Sequence, residues 1–99
     1  MRGRAAKRAV GTTPEALFGQ VVRELRQARG LSQEQLGFES GHHRTYISLI
    51  ERGGRNPSLK TILALASALR TPPSQLLQAL EVRVNRGRSS GPRGRRNQP

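Results

Sequence analysis

The stretch of residues 43–52 carries side chains whose types suit hydrogen bonding to a nucleic acid. If this stretch forms one short helix, six side chains lie on its outward side: His43, Arg44, Thr45, Ser48, Leu49 and Arg52. Guanidinium and hydroxyl groups are the side-chain groups that form hydrogen bonds with base edges in the major groove of DNA. The spacing therefore predicts a groove-reading face.

The sequence contains no arrangement typical of an enzyme site. It has no Cys and no Asp, which excludes thiolate metal ligands and Asp-bearing magnesium clusters. We find no Ser-His-acid or Cys-His arrangement, no paired carboxylates and no glycine loop for phosphate. The adjacent His42 and His43 suggest a metal site or a pH sensor, but neighbours at a helix start point in different directions, and no carboxylate or thiol accompanies them. We expect no enzyme activity, no cofactor and no bound metal.

The net charge of +12 is concentrated at the two ends of the chain. Residues 1–14 carry 4 basic residues and residues 82–99 carry 6, in both cases without an acid. These ends are poor in large apolar groups, so we predict a disordered basic arm over 1–13 and a disordered Arg/Gly-rich tail over 82–99. The natural partner of such arms is a polyanion, and composition alone leaves DNA, RNA and an anionic membrane open.

Hydropathy argues against a membrane protein. No apolar stretch approaches the roughly 18 to 20 residues that span a bilayer, and no hydrophobic signal core follows the basic start. We therefore expect a soluble, cytoplasmic protein with no membrane partner.

Helical periodicity fills residues 14–81, the predicted domain. Apolar residues at helical spacing, with Thr13 as the N-cap and Gly30 as the stop, predict a first helix over 14–29. A capping box at 32–35 opens a short second helix that ends near residue 40, and a third helix follows over 43–52. A fourth helix begins after Ser58, with an apolar stripe composed of Leu59, Ile62, Leu63, Ala66 and Leu69. A fifth covers 74–81. No strand pattern competes, so the fold class is all-α with five helices.

The second and third helices have the spacing of a helix-turn-helix. Leu36, Ile47 and Ile50 are expected to lock the two helices together. Gly37 permits their close approach, and Gly41 turns the chain between them. The aromatic residues Phe38 and Tyr46 are predicted to pack in the core rather than to stack on bases.

At these residues the sequence resembles a known family. The runs LSQEQL at 31–36, SGHHRTYISLIERGGRNPSLKTI at 40–62 and LALASAL at 63–69 resemble the Cro/C1-type, or XRE-like, helix-turn-helix regulators of bacteria and phages. The resemblance covers about residues 15–80 and implies a lambda-repressor-like DNA-binding domain. Within the family, HRTYIS followed by IERG and RNPSL resembles the small controller proteins of restriction-modification systems.

The resemblance also implies roles for individual residues. Base contacts are expected from Arg44, Thr45, Ser48 and Leu49, where the arginine fork suits guanine and the leucine suits a thymine methyl group. Contacts to the DNA backbone are expected from Gln33, His43, Arg52, Arg55 and Asn56. Arg26 and Glu51 correspond to a pair that is structural in the family.

A single copy that reads one half-site buries too little surface to be specific, so we expect a homodimer on an inverted repeat. Its half-sites lie about 10 to 10.5 base pairs apart. Leu76, Leu77 and Leu80 of the fifth helix are the predicted dimer face, with closure of the monomer core as the alternative. No ligand domain follows the helix-turn-helix, so no small-molecule ligand is expected.

These observations favour a sequence-specific transcription regulator that binds double-stranded DNA, with control of a restriction-modification operon as one subtype. A phage-type repressor and the antitoxin of a toxin-antitoxin pair are alternative subtypes of the same class. The alternative class is a basic nucleoid or RNA-associated protein without sequence preference, but such a protein would not need Arg44, Thr45 and Ser48 displayed beside a turn. We expect the protein to be nucleoid-associated in a bacterium or phage-infected cell.

Overall fold

The structure, a computed structural model, describes residues 12–88. Within that range the chain forms five helices and no strand, which confirms the predicted fold class. The helices are α1 (Pro14–Ala28), α2 (Gln33–Ser40), α3 (Arg44–Glu51), α4 (Leu59–Ala68) and α5 (Pro73–Arg88). No helix in the described range has the length and apolar character needed to cross a bilayer. The predictions for residues 1–11 and 89–99 fall outside the described residues.

The predicted capping residues are present at the helix ends. Thr13 Oγ1 accepts a hydrogen bond from the Ala16 N–H at 3.0 Å and so begins α1. Ser32 and Gln35 form the reciprocal capping box of α2, in which the Ser32 N–H donates to Gln35 Oε1 at 2.8 Å. Gly41 ends α2 in the left-handed conformation, with φ of 79°. Local sequence therefore determines where these two helices begin and where the turn lies.

Close backbone contact joins α2 to α3. A Cβ atom at Gly37 would lie 2.6 Å from the carbonyl oxygen of His42, so only glycine fits there. Leu36, Ile47 and Ile50 are fully buried between the helices, as predicted.

All five helices contribute to one core. The largest fully buried side chains are Leu36, Ile47, Ile50, Leu65, Leu69, Leu76, Val21 and Val22. Burying each such side chain contributes about 1.5 to 3 kcal/mol before ordering entropy is counted. Leu76 belongs to this core, so its assignment to an exposed dimer face is wrong and the alternative of core closure holds for it.

Helix α5 is longer than the sequence predicts. The apolar period ends at residue 81, yet the helix continues to Arg88, and the predicted boundary of a disordered tail at 82 is therefore wrong. Arg83 pairs with Glu24 of α1, and Leu80 packs against the core. This contact between residues 59 positions apart fixes the extension, and a local pattern does not reveal it.

Three apolar residues predicted to be packed are exposed. Phe38 is 86% exposed because it lies two positions, and so about 200°, from the buried Leu36 on α2. Leu59 and Leu63 are 70% and 48% exposed, and Leu65 takes the buried side of α4 instead. At the end of this helix Arg70 adopts a left-handed conformation with φ of 55°.

Candidate nucleic-acid interface

The outward side of α3 carries the four side chains predicted to contact bases: Arg44, Thr45, Ser48 and Leu49. Arg44 and Thr45 are exposed, and the other two are half-buried. Ile47 and Ile50 occupy the opposite side of the helix and are buried in the core. Among the described residues, Arg44 takes part in no ion pair. Its guanidinium therefore keeps its donors for an external partner.

His43 forms the N-cap of α3. Its Nδ1 accepts a hydrogen bond from the Thr45 N–H at 3.1 Å, so the proton of the neutral ring is on Nε2. The ring is exposed, which leaves the Nε2–H donor facing solvent at the start of the helix. A phosphate oxygen placed there would accept from this donor and would also lie at the positive end of the helix dipole.

A nearly buried ion pair ties α1 to the end of α3. Arg26 Nε donates to Glu51 Oε2 at 2.6 Å, and Arg26 Nη2 donates to Glu51 Oε1 at 3.0 Å. The two side chains are only 11% and 3% exposed. Arg26 Nη1 also donates to the Leu31 carbonyl at 2.8 Å, before α2 begins. This bidentate geometry fixes the orientation of the two helices and the entry to α2.

Gln33 connects the first turn of α2 to the same ion pair. Its Nε2 donates to Glu51 Oε1 at 3.0 Å. The amide has two N–H groups, so one remains to donate to a phosphate while the other holds the side chain in place. The first turn of α2 also lies at the positive end of the helix dipole, which favours an anion at this helix end.

The segment between α3 and α4 carries the other predicted backbone contacts: Arg52, Arg55 and Asn56. All three side chains are exposed. Gly53 holds this segment against the start of α1, because its φ is 79° and a Cβ atom there would lie 2.7 Å from Ala16 Cα. The Arg55 guanidinium carbon lies 5.7 Å from the centre of the Tyr46 ring. Tyr46 is half-buried against the core, which agrees with its predicted packing role.

Gly19 is a positioning residue that the sequence analysis missed. A Cβ atom at this place in α1 would lie 2.3 Å from the Ile50 carbonyl oxygen, so α1 and α3 touch through their backbones. A glycine inside an amphipathic helix costs about 1 kcal/mol of stability relative to alanine. Its presence in the middle of the predicted first helix was therefore the one sequence signal that could have indicated a close contact there.

Apolar side chains remain exposed on α4 and α5. Leu77 is 43% exposed, and Leu80 is half-buried. Both line a surface groove with Phe18, Pro57 and Ile62. Of the predicted dimer face, these two leucines are therefore accessible and Leu76 is not.

Comparisons with known proteins match this geometry. Residues 22–76 match the helix-turn-helix family model. Control protein C.BamHI of Bacillus amyloliquefaciens is 53% identical over 62 residues, which are 62% of this chain and 76% of that protein. The crystal structure of the restriction-modification controller protein C.AhdI from Aeromonas hydrophila has a TM-score of 0.60 and 56% identity, covering 62% of this chain and 92% of that one.

A third relative was solved with DNA. The tetramer of the restriction-modification controller protein C.Esp1396I, in complex with its natural 35 base-pair operator, has a TM-score of 0.69 and 27% identity, covering 74% of this chain and 96% of that one. The matched families are transcription regulators and not enzymes. With more than half of its length matched by the family model, the chain belongs to the Cro/C1-type helix-turn-helix family of DNA-binding transcription regulators.

Proposed function

We propose that this protein binds an inverted-repeat operator as a homodimer and controls transcription of a restriction-modification operon. The observation that carries the proposal is the outward face of α3, which is held in one orientation by the Arg26–Glu51 pair. Within residues 12–88 its side chains Arg44, Thr45 and Ser48 form no hydrogen bond or ion pair with another residue, so they are available to DNA. The similarity to control proteins, one of them solved on its operator, supports the same conclusion. Such a protein works on bacterial or phage DNA in the cytoplasm, at the nucleoid.

Sequence readout comes from the N-terminal part of α3. Arg44 extends from the first turn and donates two hydrogen bonds to O6 and N7 of a guanine. Thr45 and Ser48 offer hydroxyl groups to neighbouring base edges, and Leu49 contacts a thymine methyl group.

Contacts to the DNA backbone surround this readout. Gln33 and His43 donate to phosphates at the starts of α2 and α3, where each side chain is already oriented by a hydrogen bond within the protein. Arg52, Arg55 and Asn56 hold the backbone on the other side of α3. The net charge of +12 adds attraction that does not depend on sequence.

Dimerisation uses the apolar surface on α4 and α5. Leu77 and Leu80 form its centre, and Ile62 of α4 lines the same groove. Two copies joined there present two α3 helices to successive major grooves on one side of the duplex. Operator occupancy then follows protein concentration, because only the dimer reads both half-sites.

Selection of bound fragments from random duplex DNA tests this proposal. We expect an enriched inverted repeat whose half-sites are spaced by one helical turn, bound by two copies per duplex. Recovery of fragments without a common motif would leave only non-specific binding and would refute the proposal. Genes for a methyltransferase and an endonuclease beside this one are expected if the restriction-modification subtype is correct.

A further inference from the structure

A stack of three side chains lies beside α3 and has no part in the base contacts described above. The His42 and Tyr46 rings are stacked, with centres 4.9 Å apart and planes inclined by 17°. The Arg55 guanidinium lies over the same Tyr46 ring, with its carbon 5.7 Å from the ring centre. The stack thus joins the turn before α3, the helix itself and the segment after it.

Hydrogen bonds hold the His42 ring from both sides. Nδ1 lies 3.0 Å from the Ser40 carbonyl oxygen, which only accepts, so Nδ1 carries the proton. Nε2 lies 3.5 Å from Thr61 Oγ1 and accepts from that hydroxyl, which itself accepts from Ser58 at 3.1 Å. The half-buried His42 ring is therefore fixed by the end of α2 and by the start of α4.

The Arg55 side chain is not held by hydrogen bonds in the way that the His42 ring is. It is exposed, and among the described residues it forms no ion pair. A long arginine side chain loses considerable rotamer freedom when it binds a phosphate, and a preformed stack reduces that loss. The ring of Tyr46 is the contact that restrains the guanidinium, through attraction of the cation to the ring face.

We propose that His42 is a positioning residue for DNA binding, which holds the Tyr46 ring in place and thereby aims the Arg55 guanidinium at a phosphate. The proposal rests on the proposed function, since it assigns a supporting residue to one of its backbone contacts. His42 itself touches no DNA in this arrangement.

Two conservative variants separate the stack from the hydrogen bonds. His42→Gln keeps groups that can bond to Ser40 and Thr61 but removes the flat ring, whereas His42→Phe keeps a stacked ring without the hydrogen bonds. Each is measured alone and combined with Arg55→Gln. The readout is the dependence of DNA affinity on salt concentration, because the slope of log K against log salt counts phosphate contacts.

We expect His42→Gln to make this negative slope less steep by about 0.9, which corresponds to one phosphate contact, and we expect the same change in Arg55→Gln. The loss weakens binding about eightfold at 0.1 M salt. The double variant His42→Gln/Arg55→Gln should fall no further, and His42→Phe should keep the wild-type slope. A wild-type slope in His42→Gln, or a further fall in the double variant, would overturn the proposal. If His42→Gln does not fold, Tyr46→Leu removes the same link and must lower the slope equally.

A spectroscopic signal reports on the stack without DNA. Tyr46 is the only tyrosine of the chain, which has no tryptophan, so its near-ultraviolet circular dichroism band reflects this ring alone. We expect the band to weaken in His42→Gln and to persist in His42→Phe, and an unchanged band in the former would contradict the proposal.

The slopes are measured on both a selected operator and a scrambled duplex. If the wild-type protein binds both duplexes with equal affinity, the proposed function is refuted, while the salt slopes on the scrambled duplex still test the role of His42. If the wild-type protein prefers the operator but His42→Gln has the same salt slope as the wild type, only the role of His42 is refuted.

Discussion

The ion pair between Arg26 and Glu51 allows a sharp test of how α3 is held. Replacing Glu51 by Gln leaves Arg26 buried without its carboxylate, although the Leu31 carbonyl still accepts one hydrogen bond. Breaking a buried pair by removing one partner typically costs about 3 to 5 kcal/mol. Because both side chains are nearly inaccessible, at 11% and 3% exposure, solvent screening reduces this cost little.

We therefore expect Glu51→Gln to lower the free energy of unfolding by about 3 kcal/mol or more, and the melting temperature by about 15 °C. Urea unfolding followed by far-ultraviolet circular dichroism measures the first quantity. The double variant Arg26→Met/Glu51→Leu is the matched control, since it removes both charges and keeps apolar volume. It should recover most of the lost stability, because no unpaired charge remains. If Glu51→Gln lowers the free energy of unfolding by less than about 1 kcal/mol, the pair contributes no more than an exposed ion pair does. That result would refute the claim that the buried pair holds α3 in place.

Four further predictions concern binding and stability. Arg44→Ala should cost about 1 to 3 kcal/mol on the operator and leave affinity for a scrambled duplex nearly unchanged; equal losses on both duplexes in gel shifts would contradict base readout. Leu77→Glu places a charge in the proposed dimer face, so analytical ultracentrifugation should show monomers, and an intact dimer would exclude this surface. Arg70→Gly relieves the left-handed conformation at the end of α4 and should raise the free energy of unfolding by about 0.5 kcal/mol, measured in urea. Deleting residues 89–99 should weaken binding to all sequences alike and flatten the salt slope, and an unchanged slope would show that these arginines do not contact phosphate.

The helix cap and the turn of the helix-turn-helix could be predicted from the sequence, because each depends on residues that are close together in the chain. The capping box at Ser32 and Gln35 involves residues three positions apart, and Gly41 needs only its own backbone conformation. The outward face of α3 was predicted for a similar reason, because helical spacing opposite Ile47 and Ile50 determines which side chains face away from the core.

Features set by distant contacts were not predictable in this way. Apolar residues occur on both sides of α2 and α4, so only packing decides that Leu65 is buried while Phe38 and Leu59 are exposed. The contact of Gly19 with α3 requires the crossing of two helices that the sequence does not specify.

The candidate site shows the same division. Arg44 and Thr45 could be assigned to it from spacing within one helix and from the family resemblance. The stack of His42, Tyr46 and Arg55 depends on how the chain returns after α3, and no pattern in the sequence indicated it.

The separation of the two sides of α3 has a consequence for redesign. Glu51 and the buried isoleucines anchor the helix from within, whereas Arg44 and Thr45 add almost nothing to the interior. Outward side chains from another regulator can thus be grafted onto this scaffold, which changes the preferred DNA sequence while the frame underneath stays intact.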